Sequence, residues 1–125
     1  MVGQLNFWLF NEGNAVTFHT AEALNTGFVK IDAPYRVRNT IAGEEPDGVV
    51  ANTYISGAEN VTVYASNGVA RLTFDAAGTA GQKVTTGNAG SARGVNGYTS
   101  GQCYGVLIND AVSGLTGKVW LRGIK

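Results

Sequence analysis

The feature that most constrains this sequence is its punctuation. Short stretches of β-branched and aromatic residues recur about every ten positions, and glycine, proline, asparagine or aspartate ends each before it reaches helical length. Ala15-Val-Thr-Phe18, Phe28-Val-Lys-Ile-Asp32, Tyr35-Arg-Val-Arg38, Val49 to Ile55, Val61-Thr-Val-Tyr-Ala65 and Val69-Ala-Arg-Leu-Thr-Phe74 read as strands, followed by Lys83 to Thr86, Cys103 to Ile108 and Gly117 to Gly123. Eighteen glycines in 125 residues supply the breaks, and no helical repeat competes. The fold class expected is all-β: a compact β-sandwich or barrel-like domain of eight to ten short antiparallel strands. A chain of this length makes one domain that buries roughly two-thirds of its unfolded surface. The boundaries expected are an extended N-terminal arm at 1–13 and a single β domain at 14–125.

Local chemistry refines this outline. Ser66-Asn67-Gly68 predicts a hairpin, because Asn-Gly accepts the positive φ angles of a type I′ turn; Val69 to Phe74 would then pair back on Val61 to Ala65. Thr20 to Asn25 is long enough for one helical turn, with Thr20 as its cap and Gly27 past its end. Pro34 interrupts a strand because it cannot donate to a ladder, and Tyr35 and Val37 should then share one face with Arg36 and Arg38 on the other. Gly43-Glu-Glu-Pro-Asp-Gly48 reads as an exposed loop. Ser91 to Gly101 has glycines every three or four residues and little to bury, so a loop or irregular edge is expected. Cys103 to Ile108 is a continuous apolar run suited to a strand covered on both faces, and Val119 and Leu121 alternate with Lys118, Trp120 and Arg122.

The charges exclude some partners. Nine bases balance nine acids, leaving no electrostatic footprint for phosphate backbones or anionic lipid, so neither nucleic acid nor a membrane is expected as a partner. No segment approaches the roughly 20 apolar residues that cross a bilayer. The charges are nonetheless uneven along the chain. Eight acids and four bases lie up to Asp75; one acid, Asp110, and five bases follow it. Intramolecular pairing accounts for such a pattern, and so does an acidic face that meets a basic face of a neighbouring copy.

Catalytic and metal-binding sets are missing from the pattern. His19 is the only histidine, which rules out a two-histidine zinc site, and no GxSxG elbow accompanies it as a base. The glycine-rich stretch from Gly87 to Gly101 lacks the Gly-Lys-Ser/Thr ending of a phosphate loop. Glu44, Glu45 and Asp47 cluster without the spacing of a calcium loop. Cys103, the single cysteine, allows no intrachain disulfide and is expected to be a small buried core residue. The expectation is a protein that is not an enzyme, with no cofactor and no metal.

Leu5, Phe7, Trp8, Leu9 and Phe10 give the amino terminus an aromatic density unlike the rest of the chain. Such residues need a cover. Either they form a first strand of this protein's own sheet, or they form an arm that adds to a sheet edge of another subunit. No Lys or Arg precedes Lys30, so the segment makes a poor signal peptide, and synthesis in a cytoplasm is expected.

The last third resembles a known family. Ala80-Gly-Gln-Lys-Val84, a small-residue loop, Ser100-Gly-Gln-Cys-Tyr-Gly-Val-Leu-Ile-Asn-Asp-Ala111 and Ser113-Gly-Leu-Thr-Gly-Lys-Val-Trp-Leu121 are similar to the small β-rich head decoration, or capsid cement, proteins of tailed bacteriophages. In those proteins a Gly-Val-Leu strand, an Ala-x-x-Gly turn and a Val-x-Leu strand close the domain. The likeness covers about the last 45 residues; earlier residues match only in strand spacing. It implies a phage virion structural protein made in the host cytoplasm, which binds the major capsid protein on the capsid exterior, as a homotrimer, and stabilises the shell. On that reading Phe7, Trp8, Leu9 and Phe10 form the capsid-binding arm, and Arg93, Val95 and Tyr98 lie on an inter-subunit loop. The alternative is a receptor- or glycan-binding module of a phage tail or head fibre, with Tyr54, Tyr98, Tyr104 or Trp120 as stacking platforms.

Overall fold

The computed structural model describes residues 15–64, 68–95 and 103–122. Among these residues ten strands form two sheets: β1 (Ala15–Thr20), β2 (Gly27–Ala33), β3 (Arg36–Asn39), β4 (Gly48–Val50) and β5 (Val61–Tyr64), then β6 (Gly68–Thr73), β7 (Lys83–Thr86), β8 (Ala92–Val95), β9 (Gly105–Leu107) and β10 (Thr116–Leu121). The first five close into a barrel in the order β1-β3-β2-β4-β5, and the last five make an open sheet in the order β6-β10-β9-β7-β8. The all-β expectation holds, with a barrel and a second sheet together. Neighbouring strands are antiparallel except β1 and β3, which run parallel with His19 opposite Arg36. Arm residues Phe7, Trp8, Leu9 and Phe10, and Tyr98, lie outside the described residues.

Two consecutive apolar pairs join the layers. On β2, Val29 points into the barrel core with Leu24, Val37, Val50, Val61 and Val63, while Phe28 points the other way. On β4, Val50 and Val49 divide in the same manner. Phe28 and Val49 therefore enter the second core, among Leu72, Phe74, Val84, Ala92, Tyr104, Leu107, Val119 and Leu121. Successive strand side chains face opposite sides, so a strand covered on both faces needs apolar residues at adjacent positions, and β2 and β4 supply them. Phe28 meets Tyr104 edge-on, with ring centroids 6.0 Å apart.

Close backbone contacts complete the junction. Thr73 N–H donates to Thr26 O at 2.8 Å, and the Thr86 hydroxyl donates to Glu44 O at 2.9 Å. A Cβ on Gly27 would collide with the Gly90 carbonyl oxygen, so only glycine lets the barrel approach the short 3-10 turn at Asn88–Gly90.

Several local expectations are corrected. Strand β6 does not pair with β5; all six of its residues pair with β10, from Gly68 opposite Leu121 to Thr73 opposite Thr116. Strand β5 thus belongs to the barrel and β6 to the second sheet. Thr20 to Asn25 is not helical: the Thr20 hydroxyl accepts from Glu22 N–H and donates to Glu22 O, while Leu24 bridges to Tyr54. The strand expected over Val49 to Ile55 is confined to Gly48–Val50. Tyr35 is exposed in the β2–β3 turn at a φ of 53°, so it does not share the buried face of Val37. Cys103 is half-buried, its thiol directed at Gly105 O. Ala92–Val95, expected within a loop or irregular edge, is the edge strand β8. On β10 the expected alternation is present: Gly117, Val119 and Leu121 are buried, and Lys118 and Trp120 are exposed.

Candidate functional site

The polar side chains are committed mostly to structure. Arg38 grips Glu44 with two hydrogen bonds of 2.8 and 2.7 Å. Those bonds hold the Glu44 carboxyl below its usual range, against the opposing effect of burial. Asp47 accepts the Ile31 N–H at 2.8 Å and faces Lys30 Nζ at 3.7 Å. The acidic loop is therefore tied to the barrel, with Pro46 buried inside it. Exposed His19 shares a surface depression with Thr20, Gly57 and Glu59. Among the described residues no three His, Cys, Asp or Glu side chains gather as a metal site would require.

The structure places two of the three expected inter-subunit residues. Arg93 and Val95 lie on edge strand β8, with their side chains at alternate positions on one face. Arg93 is held by Asp75, which follows β6, so it fastens the sheet edge as well as facing outwards. Gly87 allows this arrangement, since a Cβ there would strike the Asp75 carboxylate. No sequence motif marks the Arg93–Asp75 pair.

The opposite edge of the same sheet carries a groove that sequence reasoning missed. It has a volume of about 310 Å³ and is walled by Val49, Ala51 and Tyr64 from the barrel side and by Val69, Ala70 and Leu121 from the second sheet. Its floor has backbone polarity. Phe74 N–H donates to Leu115 O towards β10, whereas Thr73 N–H points the other way, to Thr26. The alternation of an antiparallel ladder turns the N–H and C=O groups of Arg71 and Val69 the same way as those of Thr73, into the groove. An apolar channel beside backbone groups that have no partner among the described residues suits an extended polypeptide segment. Ala15, where the described chain begins, pairs with Tyr64 on the groove wall.

The proposed stacking platforms separate. Tyr104 is buried against Phe28, and half-buried Tyr54 uses its hydroxyl to accept the Thr62 N–H at 3.2 Å. Trp120 remains exposed, with the Arg122 guanidinium 4.3 Å from its ring centroid.

No protein-family model matches the chain, and no curated protein sequence does. A solved structure does. The fold is similar to that of the head fibre gp8.5 N base of bacteriophage phi29. The match has a TM-score of 0.73 and covers 86% of this chain and 92% of that one, at 13% sequence identity. At such identity the likeness is one of fold, and it meets the expected resemblance to phage head proteins at that level.

Proposed function

We propose that this chain is a bacteriophage virion structural protein that binds the outer surface of the capsid and stabilises the shell. The observation that carries the reading is the fold shared, over nearly the full length of both chains, with the phi29 head fibre base. The last-third motifs that resemble head decoration proteins support it, as does a surface offering a strand-accepting groove and committing most of its acids to structural bonds. The protein acts by binding, without catalysis or a cofactor. Its partner is the major capsid protein, and its own assembly is a homotrimer.

The mechanism is linkage. A protein that binds the assembled shell and not its separated subunits stabilises the shell in proportion to its occupancy. When each trimer touches several capsid subunits, the shell opens only if several interfaces break together. Phe7, Trp8, Leu9 and Phe10 supply apolar anchors in this scheme, and Arg93, Val95 and Tyr98 lie towards neighbouring copies.

The test is add-back. Capsids from phage lacking this protein should bind the purified chain and release their DNA at a higher temperature once coated. Equal release temperatures with and without bound protein would remove the stabilising role, and failure to bind would remove the capsid role. A second reading, the base of a head fibre, is favoured by the identity of the structural neighbour. It predicts few copies per particle where a cement predicts hundreds.

A further inference from the structure

We infer that the outward face of the second sheet is a docking face for an acidic protein surface. The inference rests on the capsid-binding reading and names the chemistry of the partner surface. One continuous row of directly paired residues crosses all five strands: Val69 opposite Trp120, Trp120 opposite Val106, Val106 opposite Lys83, and Lys83 opposite Val95. Residues directly opposite in antiparallel strands point to the same side, so all five project from one face. Val69 and Trp120 are 61% and 51% exposed, large values for side chains of that size and apolarity. Four strand spacings of about 4.8 Å make the row about 19 Å wide, the scale of the apolar centre of a protein interface.

Apart from the Asp75 carboxylate, which Arg93 takes up, the charges on the strands around the row are basic. Ion pairs occupy Lys30, Arg36, Arg38 and Arg93. The remaining described bases are Arg71, Lys83, Lys118 and Arg122, and none of them forms an ion pair among the described residues. All four belong to this face: Lys83 stands in the row, Arg71 and Lys118 are a paired couple two positions along, and Arg122 stacks on Trp120. Strands β6 to β10 contain no Asp or Glu. An apolar centre rimmed by unpaired cations complements a protein surface with an apolar centre and a carboxylate rim. Nucleic acid is the weaker candidate, because a phosphate track is read by cations in series on a basic chain, and here the cations surround aliphatic residues on a chain of zero net charge.

The experiment uses capsids purified from phage lacking this protein, the full-length wild-type chain, the double variant R71E/K118E, the variant Trp120→Ser, and Glu59→Gln on the barrel as a control. Thermal melting of each free protein establishes that it is folded. Wild type and Glu59→Gln should bind equally, and their binding should weaken as salt rises from about 0.05 to 0.5 M. R71E/K118E and Trp120→Ser should each lose about tenfold or more in affinity. Wild-type binding with undiminished binding by R71E/K118E would overturn the docking face while leaving the capsid reading intact. Failure of wild type itself to bind would remove the capsid reading and this inference together. Binding to a single-stranded oligonucleotide in place of capsids, lost in R71E/K118E, would reassign the face to nucleic acid.

Discussion

Arg93 closes on Asp75 through two hydrogen bonds, Nε to Oδ1 at 3.1 Å and Nη2 to Oδ2 at 2.6 Å, and so ties edge strand β8 to the turn after β6. Phe74 and Ala92 bridge beside the pair, which draws the two ends of the open sheet together.

The pair predicts an acid limit to stability. Burial raises the Asp75 carboxyl, but the Arg93 hydrogen bonds, the Asn88 N–H and the Arg93 charge outweigh it and hold the group below its ordinary value. A carboxyl lowered by folding contributes stability above its unfolded pKa, about 4, and that contribution is lost as pH falls through the lower folded value. Glu44, lowered by Arg38, adds in the same direction. The melting temperature should fall steeply below about pH 4. Asp75→Asn should flatten that fall and cost about 1 kcal/mol at neutral pH, a modest figure because solvent screens the partly exposed Arg93. An unchanged acid profile in Asp75→Asn would show that the pair contributes nothing.

Gly27→Ala places a methyl group against the Gly90 carbonyl, where neither backbone can yield without parting the barrel from the second sheet. A loss of about 3 kcal/mol is expected in denaturant unfolding, as for other overpacked junctions. Substitution at Gly57, whose Cβ would meet open space, should cost less and act only through its φ of 83°.

Thr40 is fully buried, and its Oγ1 has no hydrogen-bond partner among the described residues. Replacing the hydroxyl by a methyl in Thr40→Val removes the desolvation cost of that oxygen. A gain of about 1 kcal/mol is expected in the same unfolding measurement. A loss would mean that the hydroxyl is satisfied in solution.

Removal of residues 1–12 leaves in place every described pair of β1 with β5, from Ala15 opposite Tyr64 to Phe18 opposite Val61. The truncated chain should melt cooperatively and fail to bind capsids. A truncated chain that unfolds would instead make the aromatic segment part of the core.

Much of this architecture was legible in the sequence because it is written in local alternation. The Val119 and Leu121 side of β10 is an example, whereas Cys103 to Ile108, expected as a strand covered on both faces, is a strand only at Gly105–Leu107, with Val106 half-buried and Ile108 exposed. Pairing was less legible. Asn67-Gly68 favours a hairpin, but six pairs with β10, distant in sequence, outweigh one turn preference. The Arg93–Asp75 tie spans 18 residues, and no local pattern marks it. The basic face was half visible: Lys118, Trp120 and Arg122 alternate on one strand, yet only the strand order brings Val69, Arg71 and Lys83 beside them. The surplus of bases after Asp75 was the sequence trace of that face, since it falls largely on the strands of the second sheet.

The most direct test of the central claim is the copy number of this protein relative to the major capsid protein in gradient-purified virions, by quantitative mass spectrometry. A lattice-coating decoration protein predicts a ratio near one per capsid subunit. A handful of copies per particle would contradict it in favour of a fibre base, and absence from the particle would contradict a virion role altogether.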